Sequence, residues 1–187
     1  MKKAVIQCLL CIFLPVLAGC AGRTEEKAEK SEYAQAVDVL KAVADTYTEE
    51  EKFAMYGGDQ EHAVMDEPGS FDINRPDEME QVLGLPAGLA SEIEDAASMV
   101  HMMNGNVFTG AAYRLHENTD RNAFAESVKT ALLDRQWMCG QPDTLTVMDA
   151  DGYVITAYGS AELMKTFQAK VMTVCKDAKI LAEAPVG

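Results

Sequence analysis

The sequence predicts an α+β protein: a ferredoxin-like β-α-β-β-α(-β) sandwich preceded by N-terminal helices. Three observations predict it. Residues 107–116 (VFTGAAYRLH) and 145–158 alternate at the two-residue period of strands. Residues 120–137 and 160–174 carry apolar residues at helical spacing. Asp149-Ala150-Asp151-Gly152 is a turn signal that folds the second of those strand regions into a hairpin. Strand, helix, hairpin and helix in that order match the ferredoxin-like motif.

The chain opens with Met1-Lys2-Lys3 and an apolar run to Ala18, the layout of a secretory signal. The run is short for a permanent span. Leu17-Ala18-Gly19-Cys20 has the form of a bacterial lipobox. This predicts a signal peptide over 1–19 and a lipid anchor on Cys20, whose sulfur carries a thioether-linked diacylglyceryl group. Two or more acyl chains, of which palmitate is typical, give stable attachment to the extracytoplasmic face of the cell membrane. Residues 20–30 then form a tether, small and charged with no large aliphatic side chain.

Residues 31–76 are expected to hold a helix and a long loop. Ser31 is the expected N-cap of a helix running to about Met55, with Tyr33, Val37, Leu40, Val43 and Tyr47 inward. Residues 57–76 are punctuated by Gly57-Gly58, Pro68-Gly69 and Pro76 and read as a surface excursion pinned by Phe71 and Ile73. His62 with Asp66 and Glu67 is a chance-level metal spacing.

Residues 77–187 are the expected α+β domain. A short helix over 77–83 stops at Gly84, and a second from Pro86 to about Ala97 turns Leu89, Ile93 and Ala96 inward. Met99-Val100-His101-Met102-Met103 follows. It has two readings: an apolar plug before the first strand, or a soft-metal site with Met99, His101, Met102 and Met103 as ligands. Thr119 or Asp120 caps the next helix, with Trp137-Met138 packing at its end; Ser160 caps the last one, and residues 179–184 form a final edge strand. Asp149–Gly152 also resembles a fragment of a calcium loop, without its third acid and bidentate glutamate.

Composition narrows function. The chain of 187 residues holds 30 acidic and 16 basic side chains. Removing 1–19, with its two lysines, takes the net charge from −14 to −16. Nucleic acid is disfavoured as a partner, and anionic lipid does not attract the domain directly. Cys8, Cys11 and Cys20 belong to the signal and anchor, so only Cys139 and Cys175 remain in the mature domain. The helices of the expected topology run antiparallel, which puts these two thiols at opposite ends and predicts no bond between them. The chain has no Gly-x-Ser-x-Gly, no phosphate-binding loop and no His-Glu-x-x-His, and no cofactor is expected.

Val82-Leu83-Gly84-Leu85, Met102-Met103-Asn104, Asp134-Arg135-Gln136 and Asp151-Gly152-Tyr153-Val154-Ile155 lie within residues 77–175. Over that range the chain resembles a family of small lipoproteins of gut clostridia and related Firmicutes, built on a domain of unknown function. The resemblance implies a monoderm envelope and a small α+β domain, and carries no active-site residues. The expected function is a non-enzymatic, membrane-anchored module that binds an envelope protein or a small molecule. The alternative is a metal-binding or metal-sensing lipoprotein.

Overall fold

A computed structural model describes residues 31–187. The signal peptide, Cys20 and the tether lie outside the described residues. The chain is α+β with one antiparallel sheet of eight strands and helices on both faces. Its elements are α1 (Ala36–Ala44), β1 (Met55–Gly57), β2 (Val64–Met65), β3 (Gly69–Ser70), α2 (Pro76–Glu78), β4 (Ile93–His101), β5 (Phe108–Leu115), α3 (Arg121–Asp134), β6 (Thr144–Ala150), β7 (Tyr153–Gly159), α4 (Ala161–Val174) and β8 (Lys179–Pro185). The sheet order is β2-β1-β4-β5-β7-β6-β8, with β3 also on β4.

This order departs from the ferredoxin-like expectation. There the last strand would lie beside β5; here β8 pairs with β6, and β4 occupies the place beside β5. β5 and β6 are parallel with β7 between them, and β7 and β8 are parallel with β6 between them. Both helical crossovers therefore step the same way along the sheet from strands of opposite sense. Crossovers of one hand then put their helices on opposite faces. α3 packs on one face with Ala111, Tyr113, Leu145, Val147 and Val154. α4 packs on the other, with α1 beside it, over Met99, Phe108, Ala112, Met148 and Ile155.

Covering both faces buries the central strands throughout. β7 is buried at every position and β5 at all but one. Phe108 stands between Phe53 and Phe167 in edge-to-face contacts at 5.3 and 5.2 Å. Gly110 leaves room for this packing: a Cβ there would lie 3.1 Å from the Phe108 ring and 3.2 Å from Met99.

Two expected helices are corrected. Residues 86–97 form no α-helix: a 3-10 helix over Ala87–Glu92 leads into β4, so Met99, Val100 and His101 belong to a strand. A strand buried on both faces shows neither the two-residue nor the 3.6-residue period, and a short apolar run is then open to either reading. The first helix ends at Ala44, well short of Met55, and begins after Gln35, whose N–H donates to Asp38 Oδ2 at 3.0 Å. Ser31 lies upstream, outside the helix.

The other elements stand near their expected places, with the side-chain roles of Ser160 and Met138 corrected. α2 continues as a π-helical turn over Met79–Leu83 and stops at Gly84, whose φ of 71° is left-handed. Asp120 caps α3 through Oδ1, which accepts from the N–H groups of Asn122 and Ala123. Asp151-Gly152 is a two-residue hairpin loop with both φ angles positive, which suits a type I′ turn. β8 is the edge strand. At Ser160 the position is right but the capping atom is Asp143 Oδ2, which accepts from Ala161 N–H at 2.8 Å. Helix α3 ends at Asp134, and Met138 points into solvent instead of packing at the helix end.

Cys139 and Cys175 are free thiols. Cys139 follows α3 near the β4–β5 turn, where its carbonyl accepts from Asn104 Nδ2 at 2.8 Å. Cys175 ends α4 near the opposite, β6–β7 end of the sheet, within the field of Asp151. Burial pushes the Cys175 thiol up to about 12, and Asp151, Asp177 and Glu32 push the same way. A thiol held protonated and covered is unreactive. Alkylation of the native protein at pH 8, read peptide by peptide, should label Cys139 within minutes and Cys175 only after denaturation. Equal native labelling of both contradicts the placement of Cys175.

Candidate functional site

The most unusual local feature is an interrupted edge strand. Met55 and Tyr56 pair with His101 and Val100; Gly69 and Ser70 pair with Ser98 and Ala97. The chain leaves the edge of β4 after Gly57, makes an excursion over residues 58–68, and returns almost in register at Gly69. The excursion folds back on β1, with Val64 opposite Gly57 and Met65 opposite Tyr56. Its two ends touch. A Cβ on Gly57 would lie 2.0 Å from Gly69 N, and one on Gly69 would lie 2.6 Å from the Gly57 carbonyl carbon. Only glycine permits this approach of one backbone to another.

Polar groups fasten the base. The hydroxyl of buried Ser98 accepts from Gly58 N–H at 2.9 Å. Asp59 is 2% exposed, and its carboxylate accepts from the N–H groups of Glu61, His62 and Asp72 at 2.9–3.1 Å. The His62 ring reaches both of its oxygens at 3.0 Å. Burial pushes the Asp59 carboxyl up, but these hydrogen bonds outweigh it and hold the group down at about 2. Arg75 binds Glu61 and also Glu78, at 2.7 Å. On the side facing α1, Lys41 Nζ pairs with Glu67 at 3.1 Å.

Between the excursion, the end of α1 and the segment entering β1 lies an open cleft of about 780 Å³. Lys41, Asp45, Lys52, Phe53, Asp66 and Glu67 line it. Lys41 is neutralised by Glu67 and Lys52 by Glu49, so the lining is acidic on balance. The Phe53 ring forms an apolar wall, stacked on His101 at 5.6 Å with the planes 12° apart. The volume is in the range of small-ligand sites, and the lining combines one aromatic surface with convergent charges.

The four sequence-proposed metal candidates are dispersed by the strand. Met99 is fully buried in the core beneath α1 and α4. His101 stacks on Phe53, and its Nδ1 accepts from Met103 N–H at 3.3 Å. Met102 and Met103 lie in the β4–β5 turn. Asp149 is held by Arg121 at 2.7 Å, and Asp151 accepts from Ser31 Oγ at 2.6 Å and Glu32 N–H at 2.9 Å, so both acids of the calcium-like fragment have structural partners. Among the described residues no group of three or more His, Cys, Asp or Glu is placed to hold a metal. Asp59 was missed in the sequence reading because its burial depends on long-range contacts with Asp72. Gly57-Gly58 and Pro68-Gly69 were visible, and they mark the two ends of the excursion.

No family model matches the chain, and no curated protein or solved structure matches it either.

A carboxyl depressed on folding adds stability above its unfolded value near 3.8, and that stability is lost as pH falls towards its folded value near 2. The amide resonances of Glu61, His62 and Asp72 should shift together across that window in a pH titration. In Asp59→Asn the joint shift should be absent, and stability at pH 7 should fall by about 1.5–3 kcal/mol, the range for hydrogen bonds to a charged group. Unchanged stability in that variant contradicts the fastening role.

Proposed function

We propose that the protein is a membrane-anchored extracytoplasmic lipoprotein, held by a lipid on Cys20, and works as a non-enzymatic binding or interaction module. The observation that carries the binding half is the cleft beside the interrupted strand. Building it takes two touching glycines and a buried, fully bonded carboxylate. An uninterrupted edge strand would close the sheet more simply, so the excursion is read as serving a ligand.

The anchoring half rests on the lipobox and on where the described chain begins. Ser31 and Glu32 are bound to Asp151, and Arg114 reaches the carbonyls of Tyr33 and Ala34. Asp95 Oδ2 accepts from Ala36 N–H at 2.6 Å. The N-terminal segment is thus latched to one end of the sheet, and a tether from the membrane would arrive there. Among the described residues no helix is long and apolar enough to cross a membrane. Membrane affinity is assigned to the lipid.

The ligand class follows from the lining. Asp45 and Asp66 against Phe53 suit a cationic group with an apolar part, from an envelope protein or a small molecule. In cells, Cys20→Ser should move the protein from the membrane fraction to the soluble fraction or leave the precursor uncleaved. A photocrosslinking residue at Lys52, on the cleft, should give a discrete adduct that the same residue at Lys129, on α3, does not give. Unchanged cleavage together with membrane retention in the serine variant overturns the anchor, and identical adducts at the two positions overturn the cleft.

A further inference from the structure

Strand β1 separates two cavities. Met55 packs with α1 and α4, so Tyr56, the next residue, stands on the opposite face of the sheet. On that face a second cavity of about 390 Å³ lies between the excursion and the π-helical turn over Met79–Leu83. Tyr56, Gln60 and Ala63 line one side of it, and Glu78, Gln81 and Val82 line the other. It shares no lining residue with the cleft, and neither reading depends on the other.

Both carboxylates at this cavity have partners. Asp59 accepts from three N–H groups and the His62 ring. Glu78 accepts from Gln60 N–H at 2.6 Å, which ties the two walls together, and from Arg75 Nη1 at 2.7 Å. The groups left over are neutral. Gln60 and Gln81 are exposed, and among the described residues their hydrogen bonds use backbone atoms only, so both carboxamides are free. The half-buried Tyr56 hydroxyl has no partner among the described residues either. Burial, with Tyr158 and Glu78 nearby, pushes this phenol up, so it stays a neutral donor and acceptor. The π-helical wall is held from behind. The Gln81 carbonyl accepts from Arg135 Nη2 at 2.6 Å, and the Val82 carbonyl accepts from the Tyr158 hydroxyl at 2.9 Å. Such turns are rare and are frequent at functional sites.

We infer that this cavity binds a neutral pyranose unit of an oligosaccharide, with Tyr56 as its stacking surface and the Gln60 and Gln81 carboxamides as its hydrogen-bonding partners. A carboxamide donates and accepts at once, which matches a sugar hydroxyl that does the same. The negative face of an aromatic ring attracts the C–H face of a pyranose. Ala63 and Val82 add apolar surface beside it. The lining offers no unpaired charge to an ionic ligand, and the net charge of −14 repels acidic sugars. A peptide strand would need an open sheet edge, and β1 has β4 on one side and β2 on the other. The volume falls in the small-ligand range, and walls fixed before binding lower its ordering cost.

The test uses the full-length chain with Cys20 replaced by serine, labelled with nitrogen-15. It is titrated separately with cellotetraose, maltotetraose, mannotetraose and the tetramer of N-acetylglucosamine. At least one of these neutral probes should shift the amide resonances of Tyr56, Gln60, Ala63, Gln81 and Val82 together, and leave those of Lys52 and Phe53 in place. Tyr56→Ala should weaken that binding at least tenfold, and Gln81→Ala, a change on an exposed side chain, at least fivefold. Tyr56→Phe keeps the ring and should lose less than threefold. Lys129→Ala, on α3, should change it less than twofold. No shift with any neutral probe, or binding undiminished in Gln81→Ala, overturns the site. Shifts confined to Lys52 and Phe53 overturn its location. Tighter binding of the glucosamine or galacturonic acid tetramer overturns the choice of a neutral sugar, and equal binding of acetyl-trialanine amide overturns the choice of a sugar.

Discussion

The structure depends on covering both faces of an antiparallel sheet. Each face of β5 and β7 is apolar, and such strands are stable only when helices lie on both sides. One helix of the pair α3 and α4 goes to each face because both crossovers step the same way. α4 alone does not cover its face, and α1 fills the space over β4 and β5. The N-terminal segment is therefore an integral layer of the fold. Its latch through Asp151, Arg114 and Asp95 follows from the same need, since the chain leading to α1 must cross the end of the sheet.

That arrangement leaves two edges, and they are handled differently. β8 carries Lys179, an irregularity opposite Val147 and Met148, and Pro185, features that discourage pairing with another chain. The other edge is broken by the excursion over 58–68, which turns unpaired backbone into the wall of a cleft. The glycines at its base and the bonded Asp59 hold the opening in one shape. A rigid opening lowers the ordering cost of binding.

Much of this was legible in the sequence where one face of an element differs from the other. α3, α4 and the Asp151-Gly152 hairpin have clean periods or a specific turn signal, and they stand within a few residues of their expected places. β4 was misread because Ala96-Ala97-Ser98-Met99-Val100 is buried on both sides and shows no period. The sheet order was misread because strand order is set by contacts between distant residues, such as Val147 with Ala182, which local pattern does not encode. The metal candidates were chosen by proximity in sequence. The strand then buries Met99 and turns His101 onto Phe53. The local bonds of Asp59 to Glu61 and His62 are those of an ordinary turn, and its remaining partner, Asp72, lies beyond the excursion.

The central claim is a two-faced sheet whose β4 edge is shared by strands on either side of an excursion. Nuclear Overhauser contacts between backbone protons test it most directly. The account predicts contacts of Tyr56 with Val100 and of Ser70 with Ala97, and contacts of Ala182 with Val147 at the far edge. Contacts of residues 179–185 with β5 in place of β6 would restore the ferredoxin-like order and contradict the account.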